Sequence, residues 1–212
     1  MEKISDSEDA TSTHVLNVPN QVTIARIVLS LALFLLLALG WYGASFVLLV
    51  VTAGTDWVDG YWARKFGQIT QLGRVLDPFA DKLLICGTFI FLAAVPLLAD
   101  GTRPSGIAAW MTVVIVGREL LVTALRTFVE QGGGDFSAKW IGKWKMVLQC
   151  LAAGWSLVHL TYVDQTSAGW NSTPPTWMSQ GLVVVVWAAV LLTLYSAIAY
   201  VRSALPVFRR TG

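Results

Sequence analysis

Charge is what this sequence has least of. Acidic and basic residues together fill 13% of its 212 positions, about half the share of an ordinary soluble domain, while 55% of the chain is hydrophobic. That balance leaves too little polar surface for a water-soluble fold and makes a membrane protein the expectation. The formal net charge is only +2, with no block of Lys and Arg and no interleaving of aromatic and basic residues, which sets nucleic acid aside as a partner. Cysteine is scarce as well. Cys86 and Cys150 lie in separate apolar runs without the paired spacing of a metal or redox motif, so they read as small core residues. Residues 1–16 lack the basic opening of a secretory signal peptide; with Glu2, Asp6, Glu8 and Asp9 they are expected to form a disordered acidic tail.

What is present is a series of long apolar runs. A hydrocarbon core about 30 Å thick takes roughly 20 residues of helix to cross. Six segments meet that length: Val22–Trp41, Ala44–Lys65, Pro78–Ala99, Gly106–Glu130, Lys143–Val163 and Trp177–Leu205. The expected fold is all-α, a polytopic membrane protein with six transmembrane helices in one bundle over residues 17–206 and a basic tail over 207–212. Six crossings put both termini on one side. Arg64, Lys65, Arg74, Lys139, Lys143, Arg202, Arg209 and Arg210 all fall on that side, whereas the other carries only Arg103. The basic side should therefore face the cytoplasm, in what we expect to be a bacterial inner membrane. Trp41, Trp110, Trp155, Trp170 and Trp177 fall near the outer ends, where amphipathic rings favour the headgroup layer.

Against this apolar background four carboxylates stand out: Asp56 and Asp59, then Asp77 and Asp81. Each costs about 2.5–3.5 kcal/mol at the centre of a membrane helix, so something must compensate them. Spacings of three and four residues place each pair on one helix face, and two such faces opposed bring four carboxylates together. Hard divalent cations take oxygen ligands of this kind and keep positions for phosphate. A two-metal carboxylate site, holding Mg2+ or Mn2+, can orient a pyrophosphate for in-line displacement. Plainer readings stand beside it. Asp77 ahead of Pro78 has the pattern of a helix N-cap followed by a first-turn proline. Asp59 can pair with Arg64 or Lys65, and Asp81 with Lys82 or Arg74. Gly60 and Gly73 suit close helix packing or close approach of a nucleotide to the backbone.

The run from Asp56 to Asp81 reads D-x2-D-G-x2-A-R-x8-G-x3-D-x3-D, with Asp56, Asp59, Gly60, Ala63, Arg64, Gly73, Asp77 and Asp81 at the fixed positions. In this it resembles the CDP-alcohol phosphotransferase family. The resemblance implies a six-helix membrane enzyme, commonly a homodimer, that takes CDP-diacylglycerol or a related CDP-alcohol and releases CMP. It implies Asp56, Asp59 and Asp77 as ligands of two metal ions, and Asp81 as the base for the acceptor hydroxyl, with a share in metal binding. Gly60, Ala63, Arg64 and Gly73 would face the donor, as would Thr70, Asn20 and Thr23, although Asn20 is equally suited to cap the first helix.

A second polar set follows: Arg118, Glu119, Arg126, Lys139, Lys143 and Lys145. Arg118 and Arg126 are two helical turns apart and share a face, so together with the three lysines they are candidates for binding a phosphorylated acceptor. Arg118 also suits a structural ion pair with Glu119 or with one of the aspartates. Asn17–Asn20 with Thr23 and Arg26, the Asp77–Lys82 run, Arg118-Glu119 with Leu125-Arg126, and Gly142–Lys145 resemble the branch of the family that transfers a phosphatidyl group to sn-glycerol 3-phosphate, over residues 17 to about 150. Rival acceptors are phosphatidylglycerol, an inositol phosphate or serine. A cation transporter is the rival of another class, because intramembrane carboxylates also mark ion pathways.

Overall fold

A computed structural model describes residues 18–66, 71–131, 140–163 and 173–211, with side chains described for 21–55, 76, 78–129, 142, 144–163 and 173–204. They form six helices: α1 (Val18–Ala38), α2 (Tyr42–Phe66), α3 (Gln71–Ala94), α4 (Ala109–Gln131), α5 (Trp140–Val163) and α6 (Thr176–Thr211). No strand occurs among the described residues. The chain is an all-α membrane protein.

Its surface is the reverse of a soluble bundle. Val28, Leu31, Leu35, Val113, Val184 and Leu191 are each more than half exposed, which in water would be a continuous apolar coat. Hydroxyls inside the helices turn back on their own backbone instead of seeking solvent. Ser30, Thr52, Thr88 and Thr193 each donate to the carbonyl four residues earlier, which makes them tolerable in an apolar layer. The windows Gln21–Ala38, Trp144–Val163 and Thr176–Ala204 are long and apolar enough to cross a membrane by composition alone. Among the described residues Tyr42–Thr55 of α2 is a shorter apolar stretch.

Helix ends differ from the sequence expectation where backbone chemistry intervenes. The third helix was expected to open at Pro78, with Asp77 as its cap. It begins at Gln71 and runs through Pro78, so Asp77 lies inside the helix and the capping reading falls. It stops at Ala94, not Ala99, because Val95 precedes Pro96 and is disfavoured from helical geometry. The fourth begins at Ala109, not Gly106, since Gly106 has φ of +67°, a left-handed conformation outside any right-handed helix. The sixth continues beyond Leu205 to Thr211.

Within the bundle α3 packs against α1, α4 and α5, α2 packs against α1 and α5, and α6 closes the far side against α4 and α5. Leu33, Leu84, Phe89, Ile115, Leu157 and Val190 meet in the core. The α1–α3 contact is close at Gly87, where a Cβ would sit 2.1 Å from the Phe34 ring; that ring is itself stacked on Phe91 at 5.4 Å. Polar bonds pin other pairs: Thr112 Oγ1 donates to the Phe89 carbonyl at 3.2 Å, and Gln149 Nε2 to Thr193 Oγ1 at 3.1 Å.

Candidate active site

Asp56, Asp59, Gly60, Ala63 and Arg64 all lie in the second half of α2, and Gly73, Asp77 and Asp81 in the first half of α3. Phe66 and Gln71 are five residues apart, a reach of at most roughly 18 Å. The two helices also share α1 and α5 as neighbours. The backbone thus carries all four aspartates at one end of the bundle, here termed the aspartate end. The side chains of Asp56, Asp59, Gly60, Ala63, Arg64, Gly73, Asp77, Asn20 and Lys143 lie outside those described, and Thr70 and Lys139 lie outside the described residues altogether.

Asp81 is the aspartate whose side chain is described. Its Oδ1 accepts a hydrogen bond from Arg26 Nη1 of α1 at 2.8 Å, with Arg26 buried and the carboxylate 37% exposed. This ion pair joins positions 55 residues apart, whereas sequence spacing pointed to Lys82 or Arg74. Thr23, one helical turn before Arg26 on α1, is buried. The carboxylate is fixed on one side and open on the other.

That open side borders a cavity of about 480 Å³. Lys82 and Asp81 line it from α3, Arg118, Glu119 and Arg126 from α4, and Lys145 from α5. Among the described residues four cations thus face two carboxylates. Arg118, Glu119 and Lys145 form its buried floor. Arg118 Nη1 donates to both Glu119 oxygens at 3.2 and 3.3 Å, and Lys145 Nζ donates to Glu119 Oε1 from the facing helix. A shared carboxylate lets two cations sit in an apolar bundle, since each unpaired charge at membrane depth costs a few kcal/mol. Arg118 also reaches α6, where Nη2 donates to Ser196 Oγ at 2.6 Å and the Tyr200 ring lies 5.3 Å from Cζ. Its Nε is buried and makes no hydrogen bond among the described residues.

Sequence reasoning missed Ser196 and Tyr200, treating the last helix as hydrophobic filling. Their signal was a polar pair spaced four apart in an otherwise apolar run. Glu119 was anticipated as the partner of Arg118; its second bond to Lys145, 26 residues on, was not.

At the opposite end a second cavity of about 620 Å³ is lined by Leu98, Arg103, Pro104, His159, Ser179 and Leu182 among others. His159 Nδ1 lies 2.8 Å from the Pro104 carbonyl and Nε2 3.1 Å from Ser179 Oγ. Both ring nitrogens are thus engaged in tying a loop to α6. In that loop Asp100 accepts from Thr102 N and Oγ1 at 2.8 and 2.7 Å, and these bonds hold its carboxyl below the ordinary carboxylate range.

The profile of the CDP-alcohol phosphatidyltransferase family matches residues 16–195, well past the 17–150 stretch that motif likeness covered. Three bacterial relatives share the name CDP-diacylglycerol–glycerol-3-phosphate 3-phosphatidyltransferase. The protein from Bacillus subtilis (strain 168) is 31% identical over 87% of this chain and 93% of its own. That from Haemophilus influenzae is 30% identical over 89% and 93%, and that from Escherichia coli (strain K12) 29% over 89% and 94%. With its aspartate signature in place at one end of a helical bundle, this chain belongs to the CDP-alcohol phosphatidyltransferase family.

Proposed function

We infer that the protein transfers a phosphatidyl group from CDP-diacylglycerol to sn-glycerol 3-phosphate, producing phosphatidylglycerophosphate and CMP for glycerophospholipid synthesis. The observation that carries this reading is the cationic cavity on the open side of Asp81. The excess of cations among its described lining residues suits a phosphomonoester acceptor, which guanidinium groups bind in fork geometry, and gives serine little to hold. The names of the relatives support the same donor and acceptor.

In this reading Arg118, Arg126 and Lys145 take the acceptor phosphate, together with Lys139 and Lys143. The free primary hydroxyl attacks the lipid-linked phosphorus, the bond from that phosphorus to the CMP oxygen breaks, and the hydroxyl proton passes to Asp81. Arg26 keeps that carboxylate oriented. Asn20, Thr23, Gly60, Ala63, Arg64, Thr70 and Gly73 hold the CDP-lipid. The donor set fits a hard divalent ion: carboxylates at three- and four-residue spacing, with Asp81 accessible. Asp56, Asp59, Asp77 and Asp81 would hold two Mg2+ or Mn2+ ions. When bound, these neutralise charge on the pyrophosphate and the leaving oxygen.

All six helices cross the bilayer in this reading. The aspartate end and both termini face the cytoplasm of the bacterial inner membrane, and the protein works as a homodimer among membrane lipids. The test is CMP release by purified protein supplied with CDP-diacylglycerol and one acceptor at a time. Release with glycerol 3-phosphate that a chelator abolishes is expected; release only with phosphatidylglycerol, inositol phosphate or serine would reassign the acceptor. Vesicle uptake of metal without CMP formation would favour a transporter.

A further inference from the structure

Arg118 is held more elaborately than burial of one charge requires. Glu119 engages Nη1, Ser196 Oγ engages Nη2 at 2.6 Å, and the face of Tyr200 covers the guanidinium with its centroid 5.3 Å from Cζ. Ser196 and Tyr200 are 0% and 2% exposed, and their spacing of four puts them on one face of α6. Tyr200 is itself set in place by α5: a Cβ added at Gly142 would lie 3.1 Å from its hydroxyl. Neither residue lines the cavity that Arg118 lines, so neither reaches an acceptor bound there. The guanidinium has five N–H groups, and these contacts use at most three of them, so Arg118 keeps donor capacity at the cavity it lines.

We propose that Ser196 and Tyr200 are positioning residues that clamp the Arg118 guanidinium from α6, fixing the orientation in which it meets a phosphate oxygen of the acceptor in the cavity that Arg118 lines. The clamp removes the rotamer freedom that a long cationic side chain would otherwise lose on binding, and it sets affinity for the phosphorylated acceptor without touching the donor. It rests on the reading of Arg118 as an acceptor-phosphate ligand, and the test separates the two.

Steady-state CMP release by the purified full-length enzyme, with glycerol 3-phosphate and CDP-diacylglycerol varied in turn, reads out the effect. Ser196→Ala raises KM for glycerol 3-phosphate about three- to tenfold, while KM for CDP-diacylglycerol moves less than about twofold. Ser196→Thr, which keeps the hydroxyl, restores most of the affinity. Tyr200→Leu acts in the same direction, and Tyr200→Phe, which keeps the ring face, retains most of what Tyr200→Leu loses. In an Arg118→Lys background Ser196→Ala adds nothing further, because the lysine has no Nη2 to orient. An equal rise in both KM values, or no rise in that for glycerol 3-phosphate, overturns the clamp; if Arg118→Lys still raises that KM, the acceptor reading survives alone. If Arg118→Lys leaves it unchanged, the acceptor reading falls and the clamp with it. Should Tyr200→Leu fail to fold, the Ser196 pair decides.

Discussion

The two ends of the bundle each hold a cavity, and the larger one is not the one we propose as reactive. Among the described residues the cavity of about 620 Å³ is lined by one charged side chain, Arg103, and its histidine is committed at both nitrogens to protein partners. The cavity of about 480 Å³ gathers Asp81, Lys82, Arg118, Glu119, Arg126 and Lys145. Volume at a helix end is what imperfect packing leaves; charge at membrane depth persists only where partners compensate it. The comparison teaches that function in this fold follows the compensated charge.

The contrast is sharpened or broken by substitution. The largest effect is expected at Asp81: Asp81→Asn removes the proton acceptor and lowers turnover about 10²- to 10⁴-fold, a larger change than that in KM for CDP-diacylglycerol in the CMP-release assay. Unaltered turnover would remove Asp81 from the base role. Next comes Glu119→Gln, which leaves Arg118 and Lys145 to share a neutral amide. Breaking a buried ion pair on one side costs about 3 kcal/mol, measurable as reduced resistance to denaturant in mixed micelles. Gly87→Ala should follow. The new methyl meets the Phe34 ring held against Phe91, and overpacking of this kind costs about 1–3 kcal/mol, with a displaced α1 also loosening Arg26 from Asp81. Smallest are changes at the other cavity. His159→Ala loses two hydrogen bonds and about 1–2 kcal/mol of stability, and Arg103→Ala about 0.5 kcal/mol or less; neither should shift KM for either substrate. A clear kinetic effect from Arg103 would break the comparison.

Much of this protein is legible in one dimension. The apolar runs give the helices, because a segment in hydrocarbon must satisfy its backbone internally. Asp56 with Asp59, and Asp77 with Asp81, announce themselves through intervals that share a helix face. Arg118 and Arg126, two turns apart, are readable as lining one cavity for the same reason. The start of α3 was misjudged because a proline after an aspartate has the local signature of a helix start, yet Pro78 is accommodated within the helix.

Which residue meets which was left to the fold. Arg26 with Asp81, Glu119 with Lys145 and Arg118 with Ser196 join positions 55, 26 and 78 apart, and no periodicity encodes them. In water the apolar face of a helix points to its neighbours; in a bilayer, lipid-facing and core-facing positions are both apolar, so the pattern specifies spans but not packing order. Sequence alone therefore determined that this chain crosses a membrane as helices and carries aspartates able to hold cations. Only tertiary packing decided that α1, α4, α5 and α6 close around Asp81 and Arg118, since that choice depends on close contacts such as Gly87 against Phe34.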